Sequence, residues 1–408
     1  MNASRTARLG FILVTVFLDV IGIGLMIPVL PGVVGELAGH PSEQALWYGA
    51  ILVTYGCMQF FCAPLLGALS DRFGRRPVLL LSIAGLGISH AVTALTTSLW
   101  LLLASRLVSG ATGASFSVAH AYVADITTPA ERSRGFALIG ATLGLGFIIG
   151  PALGGALSVH SLRLPFEVAA GLALLNTLYG WLVLPESLSP AQRKPFSLRE
   201  ANAFAALGHV SRLQGVGPLL LVFALCNMAQ WLMHTSWVLF TSFRFGWTPA
   251  DNGLALCLVG LVSVLAQGLL MPHLVKRWEE SRVALAGMVS AVIIPVCYGL
   301  SQAGWLMYVL IPANLLSFMV APALQSLVSR AAPADEQGLT IGALNAITSL
   351  ATVFAPLLSA LIMAQAGSLP ATDWRVGGTF FLAALLQAFA VLLALGWLRQ
   401  PRLLSDNP

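Results

Sequence analysis

With 408 residues, 57% of them apolar and only 9% charged, the chain has too few charges to cover a soluble fold of its size, since ordinary soluble domains carry roughly 25% charged residues. A mean hydropathy of +0.85 excludes a soluble enzyme, a nucleic-acid binder and a disordered regulator together. At about 20 apolar residues per spanning helix, the composition suits about a dozen helices, and hence an all-α integral membrane protein.

Apolar runs broken by Pro, Gly and charged residues predict six spans in the first half, at 9–32, 45–68, 77–97, 99–123, 135–158 and 164–184. Six more follow at 216–240, 250–274, 282–302, 304–328, 338–366 and 376–399. The one long polar stretch lies between them and holds Pro185, Pro190, Arg193, Lys194, Pro195, Arg199 and Arg212. The expected organisation is an N-terminal six-helix lobe over 1–184, a cytoplasmic linker over 185–215 and a C-terminal six-helix lobe over 216–408. Arg5 and Arg8 lead into an apolar stretch too long for a signal peptide, so it reads as the first anchor.

With the N-terminus inside, 17 of the 21 basic residues fall on the inner side and only Arg163, Arg244 and Arg375 on the outer. The positive-inside rule then places both termini in the cytoplasm. The net charge of +5 is therefore mostly an orientation signal. Cys57, Cys62, Cys226, Cys257 and Cys297 all sit in apolar runs, without the spacing of a disulfide framework or a metal site.

The halves echo each other. GALSDRFGRRPV at 67–78 has a degenerate counterpart in PHLVKRWEESRV at 272–283, and Pro151 and Pro356 are 205 residues apart. Two related lobes around a midplane site are the internal-repeat architecture of secondary transporters.

Asp19 lies about ten residues into the first span. A carboxylate at that depth costs roughly 2.5–3.5 kcal/mol on the lenient insertion scale, so such groups usually face a cavity and serve function. It suits a proton- or cation-coupling role; a carboxyl tied down by helix–helix hydrogen bonds is the bland alternative. In the fourth span Arg106, Gly110, Gly113, Ser117 and His120 recur at one-face spacing, with Asp19 the natural acceptor for Arg106. A structural arginine is as compatible with that pattern as a substrate-binding one, and His120 reads first as an interface residue. Asn227, Gln230 and His234 share one face of the seventh span, with Trp231 and Trp237 available to stack or pack. Gln59, Asn314, Gln325 and Asn345 are further substrate-binding candidates, each equally able to bridge helices. Gly146, Gly150 and Gly154 form overlapping GxxxG spacings, which permit tight helix packing.

Several of these pieces resemble one family. The stretch Gly67-Ala-Leu-Ser-Asp71-Arg72-Phe-Gly74-Arg75-Arg76-Pro77 is similar to the loop 2–3 signature of the major facilitator superfamily. Asp19 before Pro28-x-x-Pro31, Arg106 with Gly110 and Gly113, and Gly144-Leu-Gly146-Phe-Ile-Ile-Gly150-Pro151-Ala-Leu-Gly154-Gly155 occur in the right order and spans, the last resembling the antiporter motif. Within the superfamily the chain is similar to the tetracycline/proton antiporters, through Leu18-Asp19-Val-Ile-Gly22-Ile-Gly24, Trp237-Val-Leu-Phe-Thr241 before Arg244-Phe-Gly246-Trp247, and Pro322-Ala-Leu-Gln325.

That resemblance implies two pseudo-symmetric six-helix lobes and alternating access in a bacterial inner membrane. It implies export of an amphipathic organic compound by a monomer in exchange for protons, with no cofactor, metal, nucleic acid or enzymatic step. Asp19 and Arg106 would couple the proton. Asp71, Arg72 and Arg75 would pair with Asp125 and with the start of the eleventh span near Gly338, latching the inner side closed. Gly146, Gly150, Pro151 and Gly154 would supply the antiporter-motif helix. The family's additional ionisable positions in spans three, eight and nine are here Ser89, Val262 and Ser290, which argues against tetracycline as the preferred cargo. Two other readings remain open at this level: a proton symporter importing a metabolite or siderophore, and a non-transporting membrane sensor.

Overall fold

The computed structural model describes residues 3–193, 216–333 and 336–398, and the described residues contain helices and turns but no strand. Among the described residues, eleven helical stretches are long and apolar enough to cross a membrane, and the bent pair Gly304–Ala313 and Leu315–Ala331 makes twelve if counted as one span. Lys194, Pro195, Arg199 and Arg212 of the expected linker, and the basic tail residues Arg399 and Arg402, lie outside the described residues.

Helices α1 (Ala3–Met26) and α2 (Leu30–Ala38) make the first span. Its break falls at the Pro28-x-x-Pro31 segment, where Pro31 takes one of the first positions of α2 and needs no amide partner there. Next come α3 (Pro41–Phe73), α4 (Arg75–Leu95), α5 (Leu99–Ala111), α6 (Ser115–Ile126), α7 (Pro129–Ser158) and α8 (Leu164–Val183). The second half holds α9 (Gly217–Phe245), α10 (Pro249–Val264), α11 (Met271–Arg277), α12 (Glu280–Leu300), α13 (Gly304–Ala313), α14 (Val320–Ala331), α15 (Gln337–Ala366) and α16 (Gly378–Leu398).

Spans four and ten are not the continuous helices their hydropathy predicts. The fourth breaks between Ala111 and Ser115, where Gly110 and Gly113 permit a turn. The tenth bends by 47° after Pro312, through a short 3-10 stretch over Leu315–Met319. The one-face stripe expected from Arg106 to His120 is thus split over two helices. Span eight carries a π-helical segment at Leu265–Leu270.

By packing, the chain divides into two compact units, Met1–Ala203 with Trp247–Gly260, and Phe204–Gly246 with Leu261–Pro408. In the first, α1 packs along α7 and α8, and α4 along α8 and α5. Its core gathers Ile12, Val16, Leu79, Ile83, Val118 and Val123, and Asn176 of α8 donates to the Thr15 carbonyl at 2.8 Å. The glycines of α7 serve a close crossing: a Cβ built on Gly150 would stand 2.7 Å from the Gly24 Cα. Only two bare backbones fit there. In the second unit α9 packs along α15 and α16, and α12 along α16.

The three basic residues expected on the outer side are all occupied. Arg163 donates to the carbonyls of Thr93 at 3.1 Å and Thr96 at 2.5 Å, at the C-terminal end of α4. Arg244 bonds four backbone carbonyls in the second unit. Arg375 grips both carboxylate oxygens of Asp373, and this pairing holds that carboxyl down to about 2, below its ordinary 3.8. A depressed carboxyl stabilises the folded chain fully above the unfolded value and loses that contribution as pH falls through the folded one. The Asp373–Arg375 turn therefore persists until pH drops from about 4 toward about 2.

Candidate functional site

The fourth-span break sets the polar geometry of the first unit. Because α5 stops at Ala111, Ser115 starts a new helix and its hydroxyl donates to Asp19 Oδ2 at 2.6 Å. That is at the short end of the O–H···O range. Asp19 is 4% exposed, and its other oxygen, Oδ1, is buried with no protein partner. Gln59 of α3 donates to the freed Gly113 carbonyl at 3.2 Å and to the Tyr55 hydroxyl at 3.4 Å. Tyr55, Gln59, Ser109, Ser115, Ile23 and Phe116 line one cleft, so the residue that bonds the Asp19 carboxyl also lines that cleft.

Arg106 does not pair with Asp19. It is 2% exposed and donates to Thr93 Oγ1 at 3.0 Å, on α4. Ser89 and Ser105 continue the same α4–α5 contact at 3.4 Å between their hydroxyls. The guanidinium thus faces a helix neighbour inside its own unit, as a structural arginine would, and the expected ion pair is absent among the described residues. His120 bonds the Phe116 carbonyl at 2.8 Å and packs on Phe136, as an interface histidine does. Ser115 and Thr93 escaped the sequence reading. The Gly110 and Gly113 pair was the available signal, because it marks a break as readily as a small-residue face.

At the other end of α3, Arg75 binds Asp71 Oδ1 at 2.6 Å, Asp125 Oδ2 at 3.1 Å and Ser70 Oγ at 2.7 Å. The sequence-predicted latch residues Asp71, Arg75 and Asp125 therefore meet, while Arg72 instead lies over the Phe73 ring at 5.1 Å. The expected contact with Gly338 falls outside the described side chains. A further acid, read only as linker, completes the cluster. Glu186 accepts from the amides of Arg75 at 2.9 Å, Arg76 at 3.3 Å and Ser187 at 2.9 Å. A carboxylate on the first amides of α4 satisfies donors the helix cannot use and opposes its dipole. Gly74 makes this approach possible, with φ +110° and a missing Cβ that would collide with the Glu186 carboxylate.

In the second unit, α9 keeps Asn227, Gln230 and His234 on one helix, with Gln230 Nε2 3.3 Å from His234 Nε2 and the Trp231 ring edge-on to His234 at 5.8 Å. Asn227 Oδ1 is buried without a partner. Gln387 of α16, absent from the sequence reading, reaches the Cys226 carbonyl at 3.4 Å and leaves its own Oε1 unpartnered. Asn314 sits at the bend of the tenth span with Oδ1 unpartnered. Trp237 packs among Tyr298 and Phe380 as core, whereas Gln325 and Asn345 are exposed.

The family profile described as Major Facilitator Superfamily matches residues 12–356, which take in the buried carboxyl, the broken spans and the glycine crossing. The chain belongs to the major facilitator superfamily. Among its superfamily relatives, the class C tetracycline resistance protein of Escherichia coli is 39% identical over 92% of this chain and 94% of its own. The class D tetracycline resistance protein of Salmonella ordonez is 36% identical over 93% and 95%. Among solved superfamily structures, the human organic anion transporter MFSD10 (TETRAN) aligns with a TM-score of 0.65 at 26% identity, covering 94% of this chain and 99% of its own.

Proposed function

We propose that this chain is a proton-coupled exporter of an amphipathic organic compound, a monomer of a bacterial inner membrane with both termini cytoplasmic, performing no covalent chemistry on its cargo. One observation carries the reading. Among the described spans, Asp19 is the acidic residue placed far from either end, while Glu36, Glu43, Asp71, Asp125, Glu131, Glu167, Asp251 and Glu280 all lie within about a turn of one. With one oxygen on Ser115 and the other open, it can bind a proton without dismantling a salt bridge. Transport in proteoliposomes under an imposed pH gradient, against a drug and metabolite panel, tests this directly. Flux opposite to the proton separates export from symport; absence of any gradient-dependent flux leaves the sensor.

The cargo follows from charge. A single mid-span carboxyl that must also carry the proton offers little to a magnesium–tetracycline cation, and the amides and rings around Asn227, Gln230 and His234 suit a neutral, zwitterionic or anionic molecule. Losing one favourable charge contact in a low-dielectric site is worth about 1.4 kcal/mol or more, roughly tenfold in affinity. Tetracycline with magnesium is therefore expected to bind about tenfold more weakly than the best panel compound. The names of the two bacterial relatives favour the second reading, tetracycline export itself, and tight magnesium-dependent binding with proton-coupled efflux would establish it.

The cluster around Arg75 is proposed as the inner latch. Arg75→Ala strips Asp71 and Asp125 of their common cation, and Asp71→Asn weakens the same network. Both variants are expected to raise thiol labelling at a cysteine introduced on the cytoplasmic side and to slow turnover several-fold. Unchanged labelling in both would refute the latch.

A further inference from the structure

His90 of α4 is fully buried, at 0% exposure, and neither ring nitrogen has a protein partner. A buried imidazole without hydrogen bonds is costly, and polar groups of this kind are usually satisfied by internal water. The surroundings show which groups that water would join. Nε2 faces Gly22 of α1, where a Cβ would lie 3.9 Å from the nitrogen, in ordinary van der Waals contact. Gly22 is three residues beyond Asp19, hence about 4.5 Å further along the same side of the helix. Asp19 Oδ1 and Arg106 Nε are likewise buried without partners. The three groups belong to α1, α4 and α5 of the first unit, and Thr93, which accepts from Arg106, is three residues beyond His90 on α4.

We propose that His90 relays protons to Asp19 through water held between α1, α4 and α5; this rests on the coupling role proposed for Asp19. With the N-terminus inside, Gly22 and His90 lie on the outer side of Asp19. A proton from that side binds the free nitrogen of neutral His90, and the N–H bond of the other nitrogen breaks to pass its proton through water to Asp19 Oδ1. An O–H bond forms there, and the imidazole, neutral again as the other tautomer, resets by exchange with the same water. Other elements around α4 place few competing groups there. Arg106 comes from α5 and donates to Thr93 of α4. Phe166 of α8 packs on the imidazole ring, while Arg163 is spent on the α4 carbonyls and Glu167 is exposed. On α6, His120 is bound to its own helix and Asp125 to Arg75.

The test needs no knowledge of the cargo. In the purified full-length protein, a pH jump is followed by infrared absorption of the protonated Asp19 carboxyl, assigned by its loss in Asp19→Asn. His90→Gln keeps size and polarity but cannot relay, and is expected to slow the appearance of that band about a hundredfold with unchanged final amplitude, the low end of proton-transfer contributions. His90→Ala is expected to be equally slow and to recover with added imidazole; if it fails to fold, His90→Gln decides alone. A full-rate band in His90→Gln overturns the relay and leaves the coupling reading standing. Absence of an Asp19 band at every pH overturns both.

Discussion

Asp19→Asn is expected to abolish proton-driven accumulation while leaving a folded protein. The amide is isosteric and can still accept the Ser115 hydroxyl proton, so the α1–α6 contact survives. Deleting a buried charge that has no ion-pair partner strands nothing, in contrast to breaking a buried pair, which costs about 3–5 kcal/mol. What disappears is the ability to bind and release a proton. Uphill transport in vesicles should fall to background, while downhill exchange of the same compound and the thermal stability persist. Ser115→Ala should have a milder effect, because the carboxyl remains and only its orientation loosens. Wild-type uphill transport by the Asp19→Asn variant would remove the residue from the coupling mechanism.

Arg244→Ala is expected to produce the largest loss of stability. The guanidinium, 5% exposed, donates to the carbonyls of Gly299 at 2.9 Å, Ser301 at 3.1 Å, Ala371 at 2.6 Å and Asp373 at 2.7 Å. It ties the end of α9 to the end of α12 and to the connection before α16. Bonds from a charged donor contribute roughly 1.5–3 kcal/mol each, and truncation leaves several acceptors unsatisfied, so a net loss of about 3 kcal/mol or more follows even after relaxation. Arg244→Lys keeps the charge but not the planar fork, and should recover only part of it. The readout is the fraction of monodisperse protein after heating in detergent. A melting curve superimposable on wild type for Arg244→Ala would show that the clamp contributes nothing.

These two residues mark different depths of legibility. The membrane-spanning helices and the mid-span place of the Asp19 carboxyl follow from one-dimensional facts, because the bilayer imposes length and apolarity on every crossing and makes a buried acid conspicuous. The loop residues Asp71, Arg75 and Asp125 were legible through their motif, and they meet in space. Partners were not legible. Hydropathy does not register a break that costs no apolar residue, so the turn at Gly113 went unseen, and with it the placing of Ser115 rather than Arg106 against Asp19. Glu186 looked like linker because a carboxylate's value on α4 depends on helix amides 110 residues away in the chain. Arg244 looked like an outer-loop charge, though it is consumed by four carbonyls from two other connections. Sequence alone determined which segments cross and which side chain is out of place in lipid, since the solvent enforces both locally. Only the tertiary structure decided which acceptor each buried donor found, since a hydrogen bond forms over about 3 Å between groups that chain order leaves far apart.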